Sequence, residues 1–157
     1  MLFPSDIMTP RTVVIAFPEN RLLKDAAEDI SRLAVSRILL YRESMDVITG
    51  FVLKTDLLLS LARDEENVHC AAFKREIPMF PETLALDSLF EKLLERQEHI
   101  AAIIDEYGGL SGIVTQEDIV ETLLGLEITD EQDSITDMQA FARRQWNARA
   151  KRLGLIE

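Results

Sequence analysis

The feature that most constrains the fold is an internal duplication of the sequence. Gly112 lies 62 residues after Gly50, and the segments Ile48–Leu58 and Leu110–Val120 align around these two glycines. Upstream, the tripeptides that end at Glu19 and Glu82, both Phe-Pro-Glu, align at a spacing of 63 residues. A single-residue difference in length between helix and strand reconciles the two spacings. Each copy is about half as long as an ordinary domain, so the fold must be predicted from the repeat.

Each copy is predicted to fold as β-α-β-β-α, which places the chain in the α/β class. In the second copy, the apolar runs Ile100–Ile104 and Leu110–Val114 flank a Gly-Gly turn and predict a hairpin. Apolar residues at helical spacing follow each hairpin and are expected to exceed what one small module covers, which predicts an interface between two copies of the chain. These residues are Leu57, Leu58 and Leu61 in the first copy and Ile119 and Leu123 in the second.

The junction between the second hairpin and its helix carries groups that suit a nucleotide. Backbone N–H groups and the Thr115 hydroxyl suit a phosphate, and the Asp118 carboxylate suits a sugar diol. An ordinary helix cap with an acid in its first turn is the alternative. The first copy retains the acid as Asp56 but has Leu53 where the second has threonine. Because leucine offers phosphate no hydrogen bond, the first site is expected to be empty or to take only a nucleoside-like group.

Composition limits the possible partners. The 157 residues include 28 acids and 17 bases, a net charge of −11, which disfavours nucleic acid and anionic membrane surfaces as general partners. Cys70 is the single cysteine, which excludes an internal disulfide and fits a reducing compartment. No apolar run approaches the roughly 20 residues that span a bilayer. The sequence shows no nucleophile–base set and no Gly-rich phosphate loop with lysine, so we predict that the chain is not an enzyme.

The C-terminal tail belongs to neither copy. Ser134 to Asp137 has the spacing of a capping box, and a helical stripe of apolar residues follows: Met138, Phe141, Ala142, Trp146, Ala150 and Leu153. Residues 97–142 contain eleven acids and no Lys or Arg, whereas residues 143–157 carry five basic residues. Both facts predict that the helix docks on an acidic surface of its own chain or of a second copy. A disordered linker end and contact with a membrane domain are the alternatives.

These motifs together resemble a known family. The leading segment Asp6-Ile-Met-Thr-Pro-Arg11, the hairpin segment His99–Gly109 and the helical segment Thr115–Ile128 are similar to the tandem CBS pair, or Bateman module, of the CorC/HlyC-type magnesium and cobalt efflux (hemolysin-like) family. The resemblance covers about residues 5–137. It implies two repeats related by pseudo-two-fold symmetry plus a C-terminal helix. The expected domains are CBS motif 1 with its N-terminal segment (1–67), CBS motif 2 (68–128), and an acidic linker with the basic helix (129–157).

The resemblance also implies which residues bind ligand. In CBS pairs the residue matching Asp118 holds the ribose hydroxyls of an adenine nucleotide, and the residue matching Thr115 meets the phosphates. Arg37 and His99 are taken as corresponding hairpin starts near the phosphate tail, with a solvated arginine and a structural histidine as the alternatives. The remaining candidates are Asp56 in the first copy and an adenine wall, equally suited to be core, at Ile77, Ile100, Ala101 and Ala102.

The implied function is regulatory. The chain is expected to bind AMP, ADP or ATP reversibly in the cleft between its repeats. Mg²⁺ could accompany the phosphates or bind directly to the acids between Glu117 and Asp133, but a solvated acidic face with a helix cap is the favoured interpretation of those acids, and no metal site is predicted. It is expected to be soluble, cytoplasmic and homodimeric through the CBS helices, and to pass ligand occupancy to a membrane-embedded transporter domain in the cytoplasmic membrane. The alternatives are a ligand-free dimerisation module of the same family and an enzyme or membrane-damaging haemolysin. The missing catalytic and membrane-active segments argue against the latter pair.

Overall fold

A computed structural model describes residues 1–129 and 135–154, with side chains described for residues 1–125 and 143–154. The chain divides into two compact units. Val14–Ile77 forms the repeat-1 unit, and Met1–Val13 together with the chain from Pro78 onward forms the repeat-2 unit. The N-terminal segment therefore folds with the second copy of the repeat rather than with the first.

The described residues form seven strands and five α-helices, which confirms the predicted α/β class. Short 3₁₀ turns at Pro4–Asp6, Arg11–Val13 and Cys70–Phe73 connect some of them. In chain order the elements are β1 (Thr9–Pro10), β2 (Ala16–Pro18), α1 (Leu23–Arg32), β3 (Arg37–Arg42), β4 (Ser44–Leu53), α2 (Lys54–Ala62), β5 (Met79–Pro81), α3 (Leu86–Arg96), β6 (Ile100–Ile104), β7 (Leu110–Thr115), α4 (Gln116–Thr129) and α5 (Ile135–Arg152).

The repeat-1 unit is a three-stranded sheet covered by two helices. Its strand order is β2-β3-β4, with β2 parallel to β3 and β3 antiparallel to β4. α1 buries Leu23, Ala26 and Ile30, whose spacing of three and four residues puts them on one face of the helix. Leu57 of α2 joins the same core. The sequence periodicity therefore fixes which face of each helix meets the sheet.

The repeat-2 unit has the same plan with one added strand. Its sheet order is β1-β7-β6-β5, in which β5 runs parallel to β6 and the N-terminal β1 pairs antiparallel with β7. Leu86, Leu89 and Leu93 of α3 and Ile119 of α4 pack with alternate residues of the sheet in one core. The first copy's leading segment thus completes the sheet that ends in the Thr115 junction.

Gly50 and Gly112 occupy equivalent sites where another chain segment passes against the sheet. A Cβ on Gly112 would overlap the carbonyl oxygen of Thr9 on β1, and a Cβ on Gly50 would overlap the carbonyl oxygen of Arg75. The adjacent side chains, Met8 and Lys74, are equivalent as well. Both glycines are therefore needed for close approach of a backbone, which explains why the duplicated motif keeps them.

The pairing register corrects the sequence alignment by one residue. β3 pairs Leu40 with Gly50, whereas β6 pairs Ile103 with Gly112. The strands before each turn are therefore 63 residues apart and the strands after it 62. The extra residue of the first copy lies in the hairpin, where the pairing is irregular on both sides of Tyr41. The prediction that placed the difference between helix and strand is wrong because an antiparallel pair absorbs an inserted residue as a bulge.

This register also changes the match between the hairpin starts. The carbonyl oxygen of Ser36 accepts a hydrogen bond from the Lys54 N–H (2.9 Å), and that of His99 accepts one from the Gln116 N–H (2.8 Å). His99 is therefore equivalent to Ser36. The predicted correspondence of Arg37 with His99 is wrong by one residue.

Candidate functional site

Thr115 and Asp118 face each other at the start of α4. The Thr115 hydroxyl accepts a hydrogen bond from the Asp118 backbone N–H (3.2 Å), and the Asp118 Oδ2 accepts one from the Thr115 N–H (3.4 Å). This reciprocal arrangement is a capping box with aspartate at the third helical position. The Thr122 hydroxyl continues the buried network by donating to the Asp118 carbonyl (2.8 Å). The cap predicted from the sequence is confirmed, and it brings the two leading candidate side chains together.

The Asp118 carboxylate is buried and paired with an arginine from the C-terminal helix. Its Oδ1 lies 3.1 Å from the Nε of Arg149, and the side chains are 8% and 6% exposed, respectively. Burial raises the pKa of Asp118 above its usual value, while the Arg149 charge and the Thr115 hydrogen bonds oppose that rise. The sequence reasoning missed Arg149 as a partner of this site. The only signal was the contrast between the acidic segment and the basic tail.

Arg149 joins three parts of the repeat-2 unit. Besides Asp118 on α4, it donates from Nη2 to the carbonyl oxygen of Ile7 in the N-terminal segment (2.8 Å). Its Nη1 is buried without a hydrogen-bond partner among the described residues. Arg152, one turn further, lies 4.0 Å from Glu121. The predicted docking of the tail on an acidic surface is therefore observed within the same chain.

The apolar stripe of α5 faces the body of the repeat-2 unit where its side chains are described. Ala150 is buried and Trp146 is half-buried. Trp146 lines an open cavity of about 310 Å³, together with Met8 of the N-terminal segment and Arg143. Ser134 lies outside the described residues, and so do the side chains of Met138, Phe141 and Ala142.

The remaining repeat-2 candidates lie on β6 or directly before it. Ala101 belongs to the core cluster, while Ile100 and Ala102 occupy the alternate face of the strand and are also buried. His99 is exposed. Its backbone carbonyl accepts the hydrogen bond from the Gln116 N–H at the start of α4. Ile100, Ala101 and Ala102 are thus part of the packed interior, and their contact with a base stays a prediction.

The equivalent junction in the repeat-1 unit differs in two respects. Leu53 precedes α2 and provides no side-chain cap. Asp56 pairs with Arg75 (3.1 Å), but both side chains are more exposed, at 31% and 53%. Arg37 is half-buried at the start of β3, and Ile77 is buried at the end of the unit. Asp56 is accordingly held at the surface, in contrast to the buried Asp118.

A second polar cluster surrounds Glu19, which the sequence analysis used only for alignment. The Glu19 carboxylate accepts hydrogen bonds from the Thr49 hydroxyl (2.8 Å), Arg42 (2.8 Å) and Lys74 (3.0 Å). These donors hold its pKa at about 2. In the repeat-2 unit, Glu82 accepts a hydrogen bond from Ser111, at the positions equivalent to Glu19 and Thr49. The duplicated Glu therefore ties the first strand of each copy to its hairpin.

Other groups add no reaction centre in the described part of the chain. Among the side chains that are described, those of residues 1–125 and 143–154, no cluster of three or more His, Cys, Asp or Glu could hold a metal ion. Asp130, Glu131 and Asp133 of the predicted acidic run lie outside the described residues. Cys70 is buried in the repeat-1 core, and burial raises the pKa of its thiol. None of the helices searched in this part is long and apolar enough to cross a membrane.

Comparison with known proteins yields a consistent family. The family model of the CBS domain matches residues 71–125. The magnesium and cobalt efflux protein CorC of Escherichia coli strain K12 is 35% identical over 147 residues, which cover 92% of this chain and 50% of that protein. The chain thus spans about half the length of that relative.

Two solved structures show the same fold. The CBS domain of a bacterial CNNM/CorC family Mg²⁺ transporter in complex with ATP is 32% identical with a TM-score of 0.73, covering 78% of this chain and 87% of that one. A CBS-domain pair with bound AMP from Klebsiella pneumoniae is 25% identical with a TM-score of 0.72, covering 79% and 99%. The first of these structures is matched over most of its own length, and it resembles this chain in sequence as well as in fold. The chain therefore belongs to the CBS-domain modules of the CNNM/CorC family.

Proposed function

We propose that this chain is the nucleotide-sensing module of a CorC-type membrane ion transport protein. It binds an adenine nucleotide reversibly, with Mg²⁺ as the counter-ion of the phosphates, and passes occupancy to a membrane-embedded transporter domain. The observation that carries the proposal is the paired Thr115 and Asp118 at the start of α4, in a family with a CBS domain solved in complex with ATP. A hydroxyl at a helix N-terminus suits phosphate, and a carboxylate suits the ribose diol.

The proposal assigns one nucleotide to the repeat-2 junction of each chain. Thr115 and Asp118 act there as phosphate and ribose ligands, and Ile100 and Ala102, on the β6 face away from the core cluster that holds Ala101, supply the apolar wall that a purine requires. Leu53 gives the repeat-1 junction neither a cap nor a phosphate ligand. Asp56 and Arg37 are therefore peripheral in this proposal.

Calorimetric titration with AMP, ADP and ATP, with and without Mg²⁺, tests this function. Asp118→Ala should weaken binding by about 1–3 kcal/mol, the range for hydrogen bonds to a charged partner. Thr115→Val is a second variant that removes the hydroxyl and leaves the carboxylate in place. Asp56→Ala is the matched change in the other copy and should leave the affinity near that of the native chain. No binding of any of the three nucleotides, or equal losses in Asp118→Ala and Asp56→Ala, would contradict the proposal.

A ligand-free dimerisation module is the second candidate function. The observation that favours it is the set of exposed leucines and valine on the helices that follow the hairpins, namely Leu58, Leu59, Val120 and Leu124. Exposed apolar groups of this kind mark interfaces when they form a patch. The same titration separates the two functions, because a purely structural module binds no nucleotide.

A further inference from the structure

The Asp118 carboxylate is already occupied by groups of its own chain. Oδ1 is paired with the Arg149 Nε at 3.1 Å, and Oδ2 accepts the Thr115 N–H at 3.4 Å. The carboxylate is 92% buried, since only 8% of the side chain is exposed. A ribose diol that donates one hydroxyl to each oxygen must reach both of them, and Arg149 covers the carboxylate so that only 8% of the side chain is exposed.

The duplicated junction shows that such burial is not a requirement of the fold. Asp56, at the equivalent position, has its arginine at the surface, and that arginine comes from the segment that passes over Gly50. In the repeat-2 unit the passing segment carries Thr9 at the place of Arg75. The cation at Asp118 is instead delivered by α5, an element outside both copies of the repeat. The buried ion pair at Asp118 therefore depends on the C-terminal helix and is not a property of the repeat itself.

We propose that α5 is an autoinhibitory element and that Arg149 is its plug: the guanidinium holds the ribose-binding carboxylate until a nucleotide displaces it. The inference deepens the proposed function and rests on it. Nucleotide binding and docking of α5 are then mutually exclusive at Asp118, and occupancy is converted into release of a helix. By linkage, docking of α5 lowers the nucleotide affinity by the same factor by which bound nucleotide lowers the equilibrium constant for docking.

Two features make the docked state reversible. The Arg149 Nη1 is buried without a hydrogen-bond partner among the described residues, so the docked guanidinium is incompletely satisfied. Beside it, Trp146 is half-buried on an open cavity rather than enclosed in the core. Release exposes Arg149 to water, where all its N–H groups find partners. The freed helix surface, with its basic end, is what the module presents to a neighbouring domain.

Arg149→Met tests the plug, because methionine keeps much of the aliphatic volume and removes the charge. Titration with AMP and with ATP should give a Kd at least about fivefold tighter than in the native chain, the lower end of the usual coupling between two sites. Arg152→Met is the matched control, since Arg152 is an exposed arginine of the same helix at 4.0 Å from Glu121. Its Kd should stay within about twofold of the native value.

The native chain provides a second measurement that does not depend on the variant folding. Saturating nucleotide should accelerate amide hydrogen exchange over residues 143–152 and shift Trp146 fluorescence to longer wavelength. If the native chain binds nucleotide through Asp118 but α5 keeps its protection, or if Arg149→Met binds equally or more weakly, the plug is wrong and the proposed function stands. If neither the native chain nor Arg149→Met binds a nucleotide, the proposed function itself fails.

Discussion

Glu19 and Asp118 are both held by cations and hydroxyl groups, yet their surroundings shift their pKa values in opposite directions. At Glu19 the hydrogen bonds from Thr49, Lys74 and Arg42 dominate and lower the pKa. At Asp118 burial dominates, and the pKa rises although Arg149 is in contact. Ionisation of Glu19 therefore favours the folded state, whereas ionisation of Asp118 works against it as the pH rises through its folded pKa. The two carboxylates therefore differ physically: Glu19 ties a strand to its hairpin, and Asp118 is a buried partner of Arg149.

The Glu19 cluster predicts a defined acid sensitivity. Its folded pKa is about 2 against an ordinary value of 4.5, so the stability it contributes is present above about pH 4.5 and is lost as the pH falls towards 2. Urea unfolding of the native chain and of Glu19→Gln should therefore differ most above pH 4.5 and converge at low pH. Glu82→Gln is the matched control, because Met8 stands where Lys74 does in the first copy. A native–variant difference for Glu19→Gln that is constant from pH 2 to pH 6 would count against the cluster.

At the scale of elements, each unit has a chain segment that packs directly against a glycine of its sheet. β1 pairs with β7 across Gly112, and an isolated bridge joins Phe51 to Arg75 beside Gly50. Because each glycine leaves room for a backbone carbonyl, neither position has space for an added methyl group. The passing segments also deliver the groups that surround the junctions, so their placement matters for the site.

Gly112→Ala should displace β1 and destabilise the chain by about 1–3 kcal/mol, the usual cost of overpacking. Gly50→Ala is its twin in the other unit and should cost a similar amount, because both alanines meet a backbone carbonyl. Gly108→Ala has open space around its Cβ, so its cost comes only from its φ of +84°, about 1–2 kcal/mol. Denaturant unfolding measures all three. A Gly112→Ala chain as stable as the native one would refute the close approach of β1.

Elements were predictable where the pattern is periodic and local. The buried faces of α1 and α3 and both hairpins follow from apolar spacing, and Thr115 follows from cap chemistry. The length difference was misplaced because the Phe-Pro-Glu and glycine motifs both lie outside the irregular turn that contains it. The Asp118–Arg149 pair was not predictable, since charge composition indicates that a basic helix docks but not which arginine becomes buried.

At the scale of the whole molecule, the predicted dimer surface needs correction. Leu57 and Ile119 are fully buried in the cores of their own units, and Leu61 and Leu123 pack against them. Among the described side chains of these helices, the exposed large apolar ones are Leu58, Leu59, Val120 and Leu124. Helical periodicity identified an apolar face but did not separate its core half from its exposed half, because both helices are apolar over more than one face.

We expect a homodimer that buries these exposed residues. Leu59→Glu and Leu124→Glu should shift the chain towards monomer, because an acid cannot be buried there without a partner. Leu94→Glu on α3 is the matched control, since Leu94 is 53% exposed, as is Leu124. Light scattering at tens of micromolar measures the mass of each chain. A monomeric native chain at that concentration would contradict the expected assembly.

The stoichiometry of nucleotide binding tests the central claim most directly, because the claim assigns the ligand to one of two duplicated junctions. The repeat-2 junction has Thr115 and Asp118, while the repeat-1 junction has Leu53 and Asp56. Calorimetry of the native chain with AMP and with MgATP should therefore give one nucleotide per chain. Two equivalent nucleotides per chain would contradict the difference drawn between the junctions, and no bound nucleotide at all would contradict the sensing function.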